Sequence, residues 1–343
     1  MPLPNLNADV FAVIVQQVVA LAAASGDSPT SRFSLRSATL RQLCLVNSLW
    51  RSVAQPQLDR EVFVTPWNYE EVWEAFKWRD EARRRVVRRL EAVGNGRCRR
   101  GIFELEPLGP LVELFDQLED LHCEAWSLSL SVWAGMKHLR SFTLLDAALD
   151  GSDATVQPSC RLSRLSLSID DFPPFNTAAF AALARAGTGT LLHLQLGYFS
   201  TDQGALLYSA LPSLLSSLRT LDLDDYSGET TQDPSGRHVD PTLLAHLGLC
   251  SSLERLVVSI PQVRFALGYL PTPPPSRATP RPGIFHLSGV VEVLVAGRLG
   301  QLDELQLYQL SARWSNEVEE LSRAPLGRLR QLADERGFRV VLL

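Results

Sequence analysis

Lysine is nearly missing from this chain: of 33 basic side chains only Lys77 and Lys137 are lysines, a skew that fits a GC-rich coding sequence. Methionine is scarce as well, with two residues. The five cysteines (Cys44, Cys98, Cys123, Cys160, Cys250) are too dispersed for a CxxC pair or half a zinc site. That dispersion suggests a reducing compartment, with each thiol serving as a small apolar side chain. No apolar run reaches the ~20 residues of a membrane span. The nearest, residues 10–24, has Asp9 in front, no basic flank, and Gln16 and Gln17 inside it, so it does not read as a signal peptide. A net charge of -5 argues against a generally nucleic-acid-binding surface. The expectation is a soluble protein of the cytoplasm, the nucleus or both.

Signs of catalysis are also missing. No GxSxG elbow, HExxH or DxDxDG loop occurs. The six histidines (122, 138, 193, 238, 246, 286) are scattered and never sit at i, i+4 with a second ligand. Asp222, Asp224 and Asp225 cluster at one expected strand end and read as solvated carboxylates. The glycines of residues 94–101 are wrongly spaced for a phosphate loop and read as a helix stop. No enzyme activity, cofactor or metal is expected.

What is present is leucine and a core. With 45% hydrophobic and 21% charged residues, 343 positions suffice for two domains or one long repeat array. Leu6, Val10, Ile14 and Val18 recur every four positions with Phe11 and Val15 beside them, predicting a helix with one wide apolar face. A polar break over 25–31 precedes a second helical stretch from Leu40 towards Val53, carrying Leu43, Leu45, Val46 and Trp50 and stopped by Pro56.

The wording of these two stretches, from Leu6 to Ile14 and from Leu43 through Cys44, Leu45, Val46 and Trp50 to Leu58, resembles an F-box of the fungal type. Asp9 stands for the family's acid, Asn7 and Ala8 replace its prolines, and Asp59 occupies a frequent aromatic position. The resemblance implies docking to the Skp-type adaptor of a cullin–RING ubiquitin ligase. Leu6, Val10, Phe11, Ile14, Leu43, Leu45, Val46 and Trp50 would divide between the adaptor groove and the unit's own core, as helical anchors in an apolar groove do.

Residues 70–93 predict a long helix with Val72, Phe76, Val86, Val87 and Leu90 at its apolar positions. Residues 77–100 hold ten Lys/Arg against three acids, +7 in all, leaving about -12 for the rest. The basic run reads as a solvated face of a first solenoid layer; a nuclear-targeting or nucleic-acid patch is the rival reading. Trp67, Tyr69, Trp73 and Trp78 near its start suit a core better than a base-stacking platform.

Beyond that, Leu-x-x-Leu-x-Leu recurs as Leu118/Leu121/Cys123, Leu139/Phe142/Leu144, Leu162/Leu165/Leu167 and Leu191/Leu194/Leu196. Leu218/Leu221/Leu223, Leu253/Leu256/Val258 and Leu302/Leu305/Leu307 follow. Each ends in the period-two alternation of a half-buried strand, and most spacers can hold one helix. Expected helices include 176–187, one opened by Asp240 and Pro241, and one from Pro325 to Gly337, before a final strand over 338–343. These units resemble leucine-rich repeats of the F-box-associated kind. The Asn or Cys that closes the repeat signature is replaced by Trp126, Ala147, Asp170, Phe199, Tyr226, Pro261 and Leu310, which predicts irregular curvature.

The fold class expected is α/β: a helical F-box over 1–62, a helical linker and first layer over 63–101, and an irregular leucine-rich-repeat solenoid over 102–343. Polar and proline-rich insertions interrupt it at 225–240 and 271–283. Residues between the leucines face the concave side, giving a polar strip with His122, Arg164, His193, Gln195, Asp222, Asp224, Arg255, Glu304 and Tyr308 as the partner surface. The resemblance implies the substrate-recognition subunit of an SCF-type ligase holding an unknown protein target. A leucine-rich-repeat scaffold with no ubiquitin role is the alternative. No membrane partner is expected, and nucleic acid is disfavoured.

Overall fold

In the computed structural model, the residues described are 8–24, 29–78, 81–94, 107–145, 147–150, 158–169, 177–199, 212–223, 250–260, 291, 294–295, 299–309 and 316–342. Leu6, Cys98, Asp224, Asp225, Tyr226, Pro261, Leu310, the helix expected after Pro241 and both insertions lie outside them.

The chain opens with three helices: α1 (Ala8–Ala24), α2 (Pro29–Val46) and α3 (Ser48–Asp59). They enclose a small core of Val15, Val19, Leu40, Cys44 and Ala54, with Leu43, Trp50, Val53 and Leu58 packed against it. Phe11 meets Trp50 edge-on at 5.1 Å. The structure departs from three expectations. Helix α2 starts at Pro29, inside the expected break, because proline suits a first helical turn. The stretch from Leu40 to Val53 is cut at Asn47, whose extended backbone and side chain cap α3, accepting from the Leu49 and Trp50 N–H groups at 3.0 Å each. Pro56 does not stop α3, and the bond it cannot make would go to Ser52, an exposed residue.

The rest is a parallel array. Its elements are β1 (Glu61–Val64), α4 (Tyr69–Lys77), α5 (Glu81–Arg84), β2 (Arg89–Val93), α6 (Gly109–Val112), β3 (Asp120–Glu124), β4 (Ser127–Ser129), α7 (Leu130–Gly135), β5 (Ser141–Leu145) and β6 (Ala148–Asp150). There follow β7 (Arg164–Ile169), α8 (Thr177–Gly187), β8 (His193–Phe199), β9 (Thr220–Leu223), β10 (Arg255–Ile260), β11 (Glu304–Gln309), α9 (Asn316–Arg336) and β12 (Arg339–Leu342). Ten strands form one sheet in the order β1-β2-β3-β5-β7-β8-β9-β10-β11-β12. Every pairing is parallel. Strictly sequential order excludes a doubly wound sheet, in which the order reverses at a switch point. It is the order of a solenoid, where each unit stacks only on its neighbours.

The register explains the leucines. Val62, Leu90, Leu121, Phe142, Leu165, Leu194, Leu221, Leu256, Leu305 and Val340 are successive partners across all ten strands. All but Val340 are buried. The leucines that open each repeat, from Leu118 to Leu302, join the same core. A one-residue slip would turn the whole row into solvent, so the apolar pattern itself fixes the register.

After β1 an Asn closes the turn, Asn68 accepting from the Thr65 N–H at 2.7 Å and donating to Phe63 O at 3.2 Å; after β3 and β5 none does. Trp126 and Ala147 are buried there instead, and the backbone bonds run from turn to turn: Ala125 N–H to Leu145 O at 2.9 Å and Ala148 N–H to Trp126 O at 2.9 Å. Ala125 takes a left-handed φ of 55°, and Gly94 donates to Glu124 O at 2.7 Å in the same corner. A short second sheet, β4 beside β6, continues this side of the array.

Two further expectations are corrected. Residues 70–93 form not one helix but α4, α5 and β2. Val87, Leu90 and Ala92 are all buried and repeat the leucine template with smaller side chains, so strand pairing with β3 overrides local helix propensity. Gly94 therefore ends a strand rather than a helix. The last helix begins at Asn316 rather than Pro325, over an acidic stretch suited to a helix N-terminus. Its expected end holds, with Gly337 at φ 78° donating to Ala333 O at 2.8 Å.

Leu221→Ala is expected to cost about 2–5 kcal/mol by chemical denaturation, against under about 0.5 kcal/mol for exposed Leu45→Ala. Gly94→Ala should also destabilise, since its new Cβ would lie 2.4 Å from the Ala125 carbonyl oxygen.

Candidate functional site

The sheet face opposite the leucines carries mostly polar side chains in two registered rows. The first runs Glu61, Arg89, Asp120, Ser141, Arg164, His193, Thr220, Arg255, Glu304, Arg339. The second runs Phe63, Glu91, His122, Thr143, Ser166, Gln195, Asp222, Val257, Gln306, Val341. Neighbouring strands lie ~4.8 Å apart, so side chains in one row touch or nearly touch. Ser166 donates to Gln195 Oε1 at 3.1 Å.

Of the expected partner residues, His122, Arg164, His193, Gln195, Asp222, Arg255 and Glu304 fall on this face in different settings, and Asp224 lies outside the described residues. Arg164, His193 and Arg255 are exposed, while His122, Gln195 and Asp222 are half-buried. Tyr308 pairs in register with Ser259. Glu304 does not offer a free carboxylate: it is buried, accepting from Arg339 at 2.8 Å and lying 3.4 Å from Arg255. The His122 Nε2 atom is buried without a hydrogen-bond partner among the described residues, 3.7 Å from Glu124.

Charges at both flanks are largely spent on one another. Arg88 pairs with Glu119 at 3.3 Å, Arg89 with Glu91 at 3.4 Å and Asp120 at 3.8 Å, and Arg36 of α2 with Glu61. Where the centre meets the other flank, Arg219 pairs with Glu254 at 3.3 Å. Within the basic run, Arg85 pairs with Glu81 and Asp116, and Arg88 also donates to the carbonyls of Arg85 and Gln117, while Arg79, Arg97, Arg99 and Arg100 lie outside the described residues. Trp73 packs against the core with Lys77 above its ring at 4.0 Å, whereas Trp67 and Trp78 stand 82% and 77% exposed.

Glu91 was missed by sequence reasoning. It is 2% exposed, and burial raises its carboxyl above the ordinary carboxylate value, with Arg89 and then His122 opposing. Glu61 is raised by burial in the same way, opposed first by Arg36. Its signal was the alternation Leu90-Glu91-Ala92, hidden inside an expected helix. Burial also pushes the Cys123 and Cys250 thiols up to about 12, consistent with inert packing groups.

Of the expected adaptor residues, Leu45 and Val46 are 71% and 60% exposed, and Val10 is exposed. Phe11, Ile14, Leu43 and Trp50 are half-buried, with Leu43 and Trp50 packed on the helical core. The stripe of Val10, Ile14 and Val18 does not face inward: Val15 and Val19 take the core. Among the described residues no group of three or more His, Cys, Asp or Glu side chains is placed to hold a metal, and no helix is long and apolar enough to cross a membrane. A hollow of about 360 Å³ beside β4 and α6 has Glu113 as the one titratable group in its lining.

No protein-family model matches the chain, and no curated protein matches it. Among solved structures it is similar to an internalin (InlF) from Listeria monocytogenes, at 16% sequence identity and a TM-score of 0.33. The likeness covers 77% of this chain and 66% of the internalin chain. It is too distant to carry an argument, and the solenoid rests on the chain's own strand register.

A carboxyl raised in the folded state binds more protons folded than unfolded. The stability it contributes is full below the ordinary carboxylate value and is lost as pH rises through the raised one. Glu91→Gln removes that loss while Asp120 remains as a partner for Arg89. Thermal midpoints from pH 4 to 7 should therefore move in the variant's favour, relative to wild type, as pH rises.

Proposed function

We propose that this chain is a non-enzymatic receptor: the substrate-recognition subunit of an SCF-type cullin–RING ubiquitin ligase. Its N-terminal helices would dock the Skp-type adaptor and its polar sheet face would hold a target protein. One observation carries the docking half of this reading. Leu45, Val46 and Leu49 are all exposed around the α2–α3 corner, next to the Trp50 packing site. A small helical unit that leaves three neighbouring aliphatic side chains in water favours a partner there. The F-box resemblance of Cys44 to Trp50 names that partner. Cytoplasmic and/or nuclear residence follows from the same reading.

The target half is supported by the exposed part of the polar face. Parallel sheets usually have both faces covered, whereas here one face presents exposed arginines and a histidine in register. Catalysis would belong to other subunits, and the receptor would act by raising the effective concentration of target lysines near the ubiquitin carrier.

The docking half is tested by adaptor capture. Leu45→Asp/Val46→Asp changes two exposed residues, so the helical core should survive, as circular dichroism can check. Wild type should retain purified Skp-type adaptor and the double variant should lose at least about tenfold in affinity. Equal capture by both, or by neither, contradicts the ligase reading and leaves a repeat scaffold that binds partners without a ubiquitin role.

A further inference from the structure

The middle of the polar face differs from its flanks. At the N-terminal rim of β5, β7, β8 and β9 the residue just before each strand and the first residue of the strand are Arg140/Ser141, Ser163/Arg164, Leu192/His193 and Arg219/Thr220. None of the eight is acidic. Four acids of the flanking strands are engaged, Glu119 by Arg88, Asp120 by Arg89, Glu254 by Arg219, and Glu304 by Arg255 and Arg339, and the one described acid on the polar face of the strip's own strands is Asp222, in the second row of β9. Arg140 and Arg164 are exposed and make no ion pair among the described residues. Ladder bonds fix their backbones: the Arg164 N–H donates to Arg140 O at 3.0 Å, and the His193 N–H to Ser163 O at 3.0 Å.

We propose that this strip, centred on Arg140, Arg164 and His193, binds an extended, Asp/Glu-rich segment of a protein partner. The inference rests on the polar face being a partner surface, and it names the chemistry of that partner. From Arg140, just before β5, to Arg219, just before β9, is three strand steps, roughly 14 Å at ~4.8 Å each, which an extended peptide spans in about five residues. The cations sit on separate strands rather than converging on one point. Single carboxylates spaced along a chain match that arrangement better than one dianionic phosphate. Guanidinium groups suit carboxylates because their fork presents two parallel donors. Nucleic acid fits less well: among the described residues no aromatic side chain lies on the strip to stack a base, and the chain as a whole is acidic. The field of the strip is felt at His193. Besides partial burial, Arg164, Arg255 and Arg219 hold its imidazole below the ordinary value, with Glu254 opposing. A carboxylate seated beside it would relieve that repulsion.

The test uses the full chain and fluorescein-labelled nonapeptides read by anisotropy. One probe alternates Ser and Glu; its Ser/Gln counterpart, a Ser/Gln peptide with one phosphoserine and a dodecathymidine strand are compared. The Ser/Glu peptide should bind best and weaken with added salt. Arg140→Gln/Arg164→Gln should reduce its affinity roughly tenfold, whereas Arg330→Gln on α9 should leave it unchanged. Arg164→Glu, a second variant on an exposed site, should bind a Ser/Lys peptide that wild type ignores. Circular dichroism melts establish that each variant is folded. The proposal is overturned if the Ser/Glu peptide does not bind, if folded Arg140→Gln/Arg164→Gln binds it as well as wild type, or if the phosphoserine or thymidine probe binds more tightly. Because the assay contains no adaptor, such a failure leaves adaptor docking standing, and a failed adaptor capture leaves this result standing.

Discussion

Everything else in this molecule depends on one alignment: the in-register row of apolar side chains from Val62 on β1 to Val340 on β12. Each member is covered by the members on either side and by the helices and turns beneath. A buried leucine contributes about 1.5–3 kcal/mol by leaving water, but only when its neighbour strand is in place. Single units therefore have no stable existence apart from the stack, as expected of a repeat array. The row also decides where polar groups go. Once leucines at alternate positions are buried, the residues between them must share the other face, in the same register.

That second face shows how a sheet can be polar without being unstable. Its flanks neutralise themselves through ion pairs, from Arg89 to Asp120 and from Arg339 to Glu304. Glu91 is the exception in kind, a carboxyl buried enough to be raised and held by Arg89 and His122. The centre is left with two exposed guanidinium groups, Arg140 and Arg164, that make no ion pair among the described residues, on a chain whose overall charge is -5. The N-terminal helices make the complementary arrangement: a closed core around Val15 and Leu40 with aliphatic side chains left in water at Leu45 and Val46. Two chemically different surfaces on one chain suit a bridging role.

Strand positions were legible wherever the template was written in leucine. All seven Leu-x-x-Leu-x-Leu segments are strands of the sheet, and the strand expected near the C-terminus is β12. Strands β1 and β2 were not legible, because Val87, Leu90 and Ala92 use smaller residues inside an arginine-rich stretch whose local preference is helical. The helix boundary at Asn47 was hidden for a similar reason: apolar spacing continues across it, and the cap geometry decides. On the polar face the positions could be read from period two, but the ion pairs could not, since they join residues 31 or 35 apart, such as Arg89 with Asp120 and Glu304 with Arg339. For that reason Glu304 resembled a free surface acid in sequence and is a buried counter-ion in the fold.

The register itself is open to a direct measurement. In a background with the native cysteines replaced, Ser166→Cys/Gln195→Cys places two thiols on partnered residues of β7 and β8, within the Cα separation a disulfide requires. Ser168→Cys/His193→Cys places them on the same strands and the same face, but out of register. Under a mild oxidant the first pair should close rapidly and the second should remain reduced. Equal closure of both pairs, or closure of the offset pair alone, would contradict the aligned row on which the fold and its surface depend.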